Sequence, residues 1–455
     1  MNDDRSQAWT KLCEFTGEQM KVLGVPGVSL GVLHKGELQT TGFGVTNADH
    51  PLPVTDETFH QIGSITKTFT GTLAMRLVEE GKLDLDATVR TYLPKFKVAD
   101  EAASAQATVR HLMTHTGGWV GDFFQDTGSG SDALETYVAE MADLEQLAPL
   151  GAHWSYNNAG FAVLGRILEV VTGKAYANVL REMLLEPLGL TSTHFDADPV
   201  ITQRFVVGHR ATPTGPIVLP AWSLPGFVRP MGALICTVKD LLRYAAFHLG
   251  DGTTSDGEHL LGKPFLDQMQ APHANVWGDA HWGLTWSVDH SPPVRRFAHG
   301  GGTTGQITQL TFVPEHGLAV AVLTNADQGS LLVRDVTERA LEEYCGTKVE
   351  RPKAIKSTEA ELAQYVGRYE RPFSELEIGM LGGRLIGQIK FKQAFPTPDS
   401  PPPPSPPPMT LGRCAEDRLL VMDGRYVDVT ADAIRNDDGS IGWLRISGRL
   451  QRRTS

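Results

Sequence analysis

A chain of 455 residues, 41% hydrophobic and 21% charged, can bury a substantial core; this excludes a disordered chain, and roughly 150 residues per domain allows about three units. The formal charge of −12 argues against a phosphate-neutralising surface and hence against general nucleic-acid binding. Four cysteines, Cys13, Cys236, Cys345 and Cys414, lack C-x-x-C or zinc-ligand spacing and read as ordinary buried thiols.

The opening Met1-Asn2-Asp3-Asp4-Arg5 is acidic where a secretory signal is basic, and no apolar core follows it. The longest apolar stretch, 161–171, is interrupted by Arg166 and Glu169, so a cytoplasmic protein with no membrane span is expected. Residues 25–41 read as a hairpin turning at His34-Lys35-Gly36. In 64–80, Ile65, Phe69, Leu73 and Leu77 form a helical stripe that ends at Gly81. A second helix is expected from Asn158 to Gly173 and a third over 176–188. Beyond Arg295 the pattern turns to sheet, with 306–313 alternating, 314–317 turning and 318–323 returning as a buried strand before a helix over 333–344. Strands at both ends of a helical middle predict an α+β fold whose terminal segments share one antiparallel sheet.

Residues 1–345 are therefore expected to form one unit and polar 346–357 a linker. Short strand-like pieces in 358–455, at 365–369, 376–378, 384–389, 426–429 and 443–446, predict a small all-β module. Within it, 396–408 holds nine prolines in 13 positions. Such a run cannot pair as a strand and is expected to be an exposed polyproline II loop, a surface insertion rather than a docking site.

Three short motifs carry chemistry. Ser64-Ile65-Thr66-Lys67 puts an amine one helical turn from a hydroxyl. Serine is a weak nucleophile that needs an adjacent base, and lysine serves once burial or a neighbouring charge lowers its pKa. The helix start adds free N–H groups suited to an anion forming beside Ser64. Tyr156-Asn157-Asn158 precedes a helix; the phenol can share general-base work, and Asn158 can cap the helix, position a substrate carbonyl or hold the lysine. Tyr176-Ala177-Asn178 has the same spacing inside a helical pattern, where the two side chains diverge. His-x-Gly occurs at His34, His115, His248, His281 and His299, but only His299-Gly300-Gly301-Gly302 opens a glycine run beside a strand, where a substrate backbone can lie close. Gly300-x-Gly302-x-x-Gly305 imitates a dinucleotide fingerprint, yet strand follows it rather than helix. His111 and His115 have the spacing of a zinc helix, but Leu112 stands where a catalytic glutamate belongs and Thr116-Gly117-Gly118 breaks the helix, so a structural turn is expected and no metal.

Ser64-x-x-Lys67, Tyr156-x-Asn158 and His299-x-Gly301, in this order, resemble the penicillin-recognising serine hydrolases: class C β-lactamases, D-stereospecific serine peptidases and β-lactamase-like esterases. Leu112-Met-Thr-His-Thr-Gly-Gly118 and the segment 312–325 look like family segments too, and the likeness spans roughly 10–345. It implies an antiparallel sheet with flanking helices and a helical subdomain. The segment 361–370 resembles the lipocalin-like barrel appended to some of the family's peptidases.

By this resemblance Ser64 is acylated, Lys67 with Tyr156 is its base, Asn158 positions substrate and lysine, and the N–H groups of Ser64 and Gly302 form the oxyanion hole. No metal or cofactor is implied. His299 and Gly301 line the substrate strand, but His299 stands where many relatives have lysine. A neutral imidazole should hold carboxylate-bearing substrates less tightly. The expectation is a peptidase or amidase for short peptides, including D-configured ones; the alternatives are a carboxylesterase, a weak β-lactamase or a non-catalytic binding scaffold. Expected partners are a small peptide, amide or ester substrate; self-association stays open, and nucleic acid, membrane and a partner for the proline segment are not expected.

Overall fold

The structure, a computed structural model, describes residues 2–290, 294–393, 395–400 and 402–454. The expected hairpin forms as strands Gly27–His34 and Glu37–Gly44. Gly27–His34 also pairs with Leu318–Thr324, with Val28 opposite Thr324 and His34 opposite Leu318. The sheet continues through Gln306–Val313, Arg296–Thr303, Ser287–Asp289, Ala280–Trp282 and Ala274–Trp277, all antiparallel.

Leu318–Thr324 is buried along its whole length, which explains its unbroken apolar run: a strand covered on both faces has no polar side to display. Leu318, Val320 and Val322 join a core with Leu332 and Val336 of helix Gly329–Cys345 and Leu12 of helix Asn2–Leu23. Ala319, Ala321 and Leu323 face the larger core that contains Leu241 and Leu242 of helix Val238–Leu249 and Phe69 of helix Thr66–Glu79. Helices thus cover both faces of the sheet.

The helix expected from residue 64 begins at Thr66, after a 3-10 turn at Gly63–Ile65. Helix Asn158–Thr172 ends at Gly173, φ 69°, in the left-handed conformation that glycine adopts without strain. Its cap is Asn157, whose Oδ1 accepts from Gly160 N–H at 2.8 Å, rather than Asn158. The third helix is regular only over Tyr176–Leu180 and continues as a π-turn through Arg181–Leu185. Among the described residues no helix is long and apolar enough to cross a membrane.

The C-terminal segment closes an eight-stranded antiparallel barrel, its first strand Gly367–Arg371 pairing with its last, Arg449–Arg453. Residues 426–429 are not a strand: a 3-10 turn occupies Gly424–Tyr426, and Asp428 has φ 69°, incompatible with extended backbone. The pairing goes instead through Met409–Ala415, Arg418–Val421 and Thr430–Arg435. The proline segment links strand Arg384–Phe391 to Met409–Ala415, and 402–408 carries no regular structure. It is not exposed throughout, because Pro406 is buried and its carbonyl accepts from Gln388 Nε2 at 2.7 Å. Pro401 lies outside the described residues, as do Met1 and Ser455.

Candidate active site

Ser64 sits on the 3-10 turn that leads into Thr66–Glu79, so Lys67 falls in the first helical turn directly behind it. Lys67 Nζ lies 3.2 Å from Ser64 Oγ and donates to the Met231 carbonyl at 2.6 Å. Its side chain is fully buried, with Nζ 5.0 Å from the centre of the Tyr156 ring and 5.5 Å from that of Phe161. Burial pushes the amine well below the usual lysine range; Arg449 lowers it further and Asp122 opposes. Such a shift favours the neutral amine, the form that can accept a proton.

Tyr156 precedes helix Asn158–Thr172 and its hydroxyl faces Ser64. Burial pushes the phenol up, while Ser64 and Arg449 pull the other way. Among the described residues its Oη has no well-formed hydrogen bond. Asn158 Nδ2 donates to Asp122 Oδ1 at 2.7 Å, and the Met231 carbonyl accepts from Lys67. Asp122 is buried and shared by two barrel arginines, with Arg449 Nε donating to Oδ2 at 3.1 Å and Arg371 donating to the same oxygen. Burial alone would raise its carboxyl, but the two guanidiniums hold it below the ordinary carboxylate range.

The strand Arg296–Thr303 closes the other side. Among the described residues Ser287–Asp289 pairs with it only opposite 296–298, which leaves the edge from His299 onward without a strand. His299 is 4% exposed, and its Nδ1–H donates to the Gly300 carbonyl at 2.7 Å. Burial, with Lys67 adding to it, pushes the imidazole down to about 3, so the ring is neutral. Gly301 lets this strand touch the serine turn: an added Cβ would lie 1.9 Å from the Ile62 carbonyl oxygen. Gly63, at φ 52°, packs the same way, its hypothetical Cβ 2.5 Å from Gly302 N. The two glycines thereby bring the backbones of Ser64 and Gly302 together.

His111 and His115 are engaged separately. His111 Nδ1 accepts from Thr108 N–H at 3.1 Å within a capping arrangement. His115, on a turn with φ 57°, accepts from Asn157 N–H at 3.0 Å and lies 4.3 Å from the Tyr156 ring. The decoy Tyr176 hydroxyl is bonded to Thr70 Oγ1 at 2.7 Å in the core. Ser64 opens onto a cleft of about 790 Å³, lined also by Tyr156, Trp282, His299, Gly302 and Arg449. On its other side lies a smaller cavity of about 290 Å³, whose walls include Asn158, Met231, Phe124, Phe373 and Phe395. Asp122, Arg371 and Arg449 were not expected at the site. No local spacing marks them, because the arginines arrive from the barrel, whose seating depends on tertiary packing.

A sheet covered by helices on both faces, with a serine-lysine pair on the turn before a buried helix and a glycine-rich strand edge opposite, defines a β-lactamase and penicillin-binding-protein type of scaffold. Residues 14–344 match the Beta-lactamase family, and the chain belongs to that family of serine hydrolases. It is 34% identical over 356 residues to penicillin-binding protein 4 of Amycolatopsis lactamdurans, covering 76% of this chain and 93% of that protein. Its fold is similar to that of SurE, with a TM-score of 0.78 at 24% identity over 99% of this chain and 100% of SurE. SurE has also been solved with D-Leu, and that structure superposes with a TM-score of 0.76 at 23% identity over 100% of both chains. The octameric penicillin-binding protein homologue from Pyrococcus abyssi gives 0.66 at 24% identity, over 97% and 99% of the two chains.

Proposed function

We propose that the protein is a peptidase or amidase for short peptides, including peptides with D-configured residues, and that it works through an ester on Ser64. The observation that carries this is the placement of Lys67 Nζ 3.2 Å from Ser64 Oγ, in a fully buried setting that disfavours its charged form. Ser64 Oγ attacks the substrate carbonyl carbon and its proton passes to Lys67, with Tyr156 beside the pair to relay it. The N–H groups of Ser64 and Gly302 receive the oxyanion. Collapse of the tetrahedral intermediate breaks the carbonyl–nitrogen bond, and the departing amine takes the proton back. Water then repeats the sequence on the ester and frees the acid and Ser64.

The substrate backbone would lie along the open edge at His299 and Gly301. The aromatic walls of the smaller cavity, Phe124, Phe373 and Phe395, suit an apolar side chain on the acyl residue. The neutral His299 offers no cation for a carboxylate, which favours peptides and amides over β-lactams. The likeness to SurE, which has been solved with D-Leu, supports D-configured apolar residues. A panel of D- and L-leucyl and phenylalanyl p-nitroanilides, p-nitrophenyl esters and nitrocefin tests the proposal. Turnover of the D-anilides at least about 10-fold above the L-anilides, a difference of about 1.4 kcal/mol, is expected. Ester turnover with no anilide turnover makes it an esterase, and efficient nitrocefin hydrolysis a β-lactamase.

A further inference from the structure

One hairpin of the barrel runs beside the reacting centre. Strands Ile441–Ile446 and Arg449–Arg453 are joined by Ser447-Gly448, and this hairpin is bonded to three consecutive residues of the catalytic unit. Arg445 Nη1 donates to the Trp154 carbonyl at 3.2 Å, Leu450 N–H donates to Ser155 Oγ at 3.2 Å, and Tyr156 N–H donates to the Gly448 carbonyl at 2.8 Å. The Arg449 guanidinium lies 4.6 Å from the centre of the Tyr156 ring, the same ring that Lys67 Nζ approaches at 5.0 Å. Through Asp122, Arg449 and Arg371 also connect to the amide of Asn158. Asp122 is the buried member, and removing its arginines would leave its charge uncompensated, so the cluster holds together around it.

We propose that Arg449 is a positioning residue for proton transfer: it holds Tyr156 against Lys67 and, with Arg371, clamps Asp122 and thereby Asn158 beside Ser64. The barrel is then a working part of the site rather than an appended module. This inference rests on the Ser64–Lys67 function proposed above. The groups around Lys67 that can carry charge are Tyr156, His115, His299, Asp122 and Arg449. Both imidazoles are held neutral by burial, which leaves Arg449 and Asp122 as the two charges, acting on the amine in opposite senses.

The test uses the full-length protein and the rate at which a fluorophosphonate labels Ser64 as a function of pH, in Arg449→Gln, Arg449→Lys and Asp122→Asn variants. Loss of Arg449 removes a repelling cation, which raises the pKa of Lys67. The rising limb of the rate therefore moves to higher pH, with slowing on the order of 10²-fold, and Arg449→Lys restores part of the rate. Asp122→Asn removes an attracting anion and moves the limb to lower pH. A merely structural ion pair would lower thermal stability in each variant and leave the limb where it is; that result overturns the proposal. Should Asp122→Asn not fold, the two Arg449 variants decide it alone. An unlabelled, folded wild type overturns the Ser64 function itself, whereas a labelled wild type with an unmoved limb overturns only the role of Arg449.

Discussion

Lys67 shows how far one residue can be tuned by its surroundings. Its side chain is fully buried and its amine lies beside two aromatic rings and one carbonyl, so the ammonium form loses most of its hydration. A group whose folded pKa lies below its unfolded value destabilises the fold as pH falls from the unfolded value toward the folded one, because the unfolded chain binds the extra proton. Lys67→Met removes this penalty while abolishing the base. It is expected to lower the acylation rate by about 10²–10⁴-fold and to raise the thermal midpoint at neutral pH by about 2 °C or more. Parallel thermal melts and burst kinetics check both, and a loss of stability together with retained acylation would contradict the assignment. The motif carrying this residue was legible in the sequence because a serine and a lysine one helical turn apart interact locally. The depth of burial was not, since Met231, Tyr156 and Phe161 come from distant segments.

At the scale of elements, periodicity succeeded where one force dominated. The continuous apolar run at Leu318–Thr324 is a direct imprint of burial on both faces of a strand, and helix Asn158–Thr172, apolar along most of its length, is buried on every side over 158–165. In the barrel four of the five expected pieces fall on strands, Gly367–Arg371, Ser374–Leu381, Arg384–Phe391 and Ile441–Ile446, and the fifth does not. Residues 426–429 have strand-like chemistry but turn at Asp428, and Thr430–Arg435 pairs in their place. The turn at Gly448 joins the fold to the site. Its φ of 76° suits glycine, and an added Cβ would sit 2.9 Å from the Trp154 ring. Gly448→Ala is therefore expected to cost about 1 kcal/mol or more in stability and to slow labelling of Ser64, because Tyr156 N–H bonds to the Gly448 carbonyl. Thermal melts with labelling rates check it; an unchanged rate beside a lowered midpoint would confine Gly448 to a structural role.

The whole molecule reconciles a prior of three domains with an architecture of two parts that share one site. The sheet and helices bring Ser64, Tyr156 and His299 together from segments far apart in sequence, and the family resemblance made that convergence legible. The contribution of the barrel was not, because Arg371 and Arg449 acquire meaning only once Asp122 is buried between them. A substrate confined between the sheet edge and the barrel would meet residues of both parts, including Phe124 of one and Phe373 and Phe395 of the other. The most direct test of the central claim is the intact mass of the full-length protein after reaction with a fluorophosphonate, followed by mapping of the modified peptide. One adduct per chain, on Ser64 and absent from Ser64→Ala, is predicted; a folded wild type that remains unmodified, or an adduct on another residue, would contradict the account.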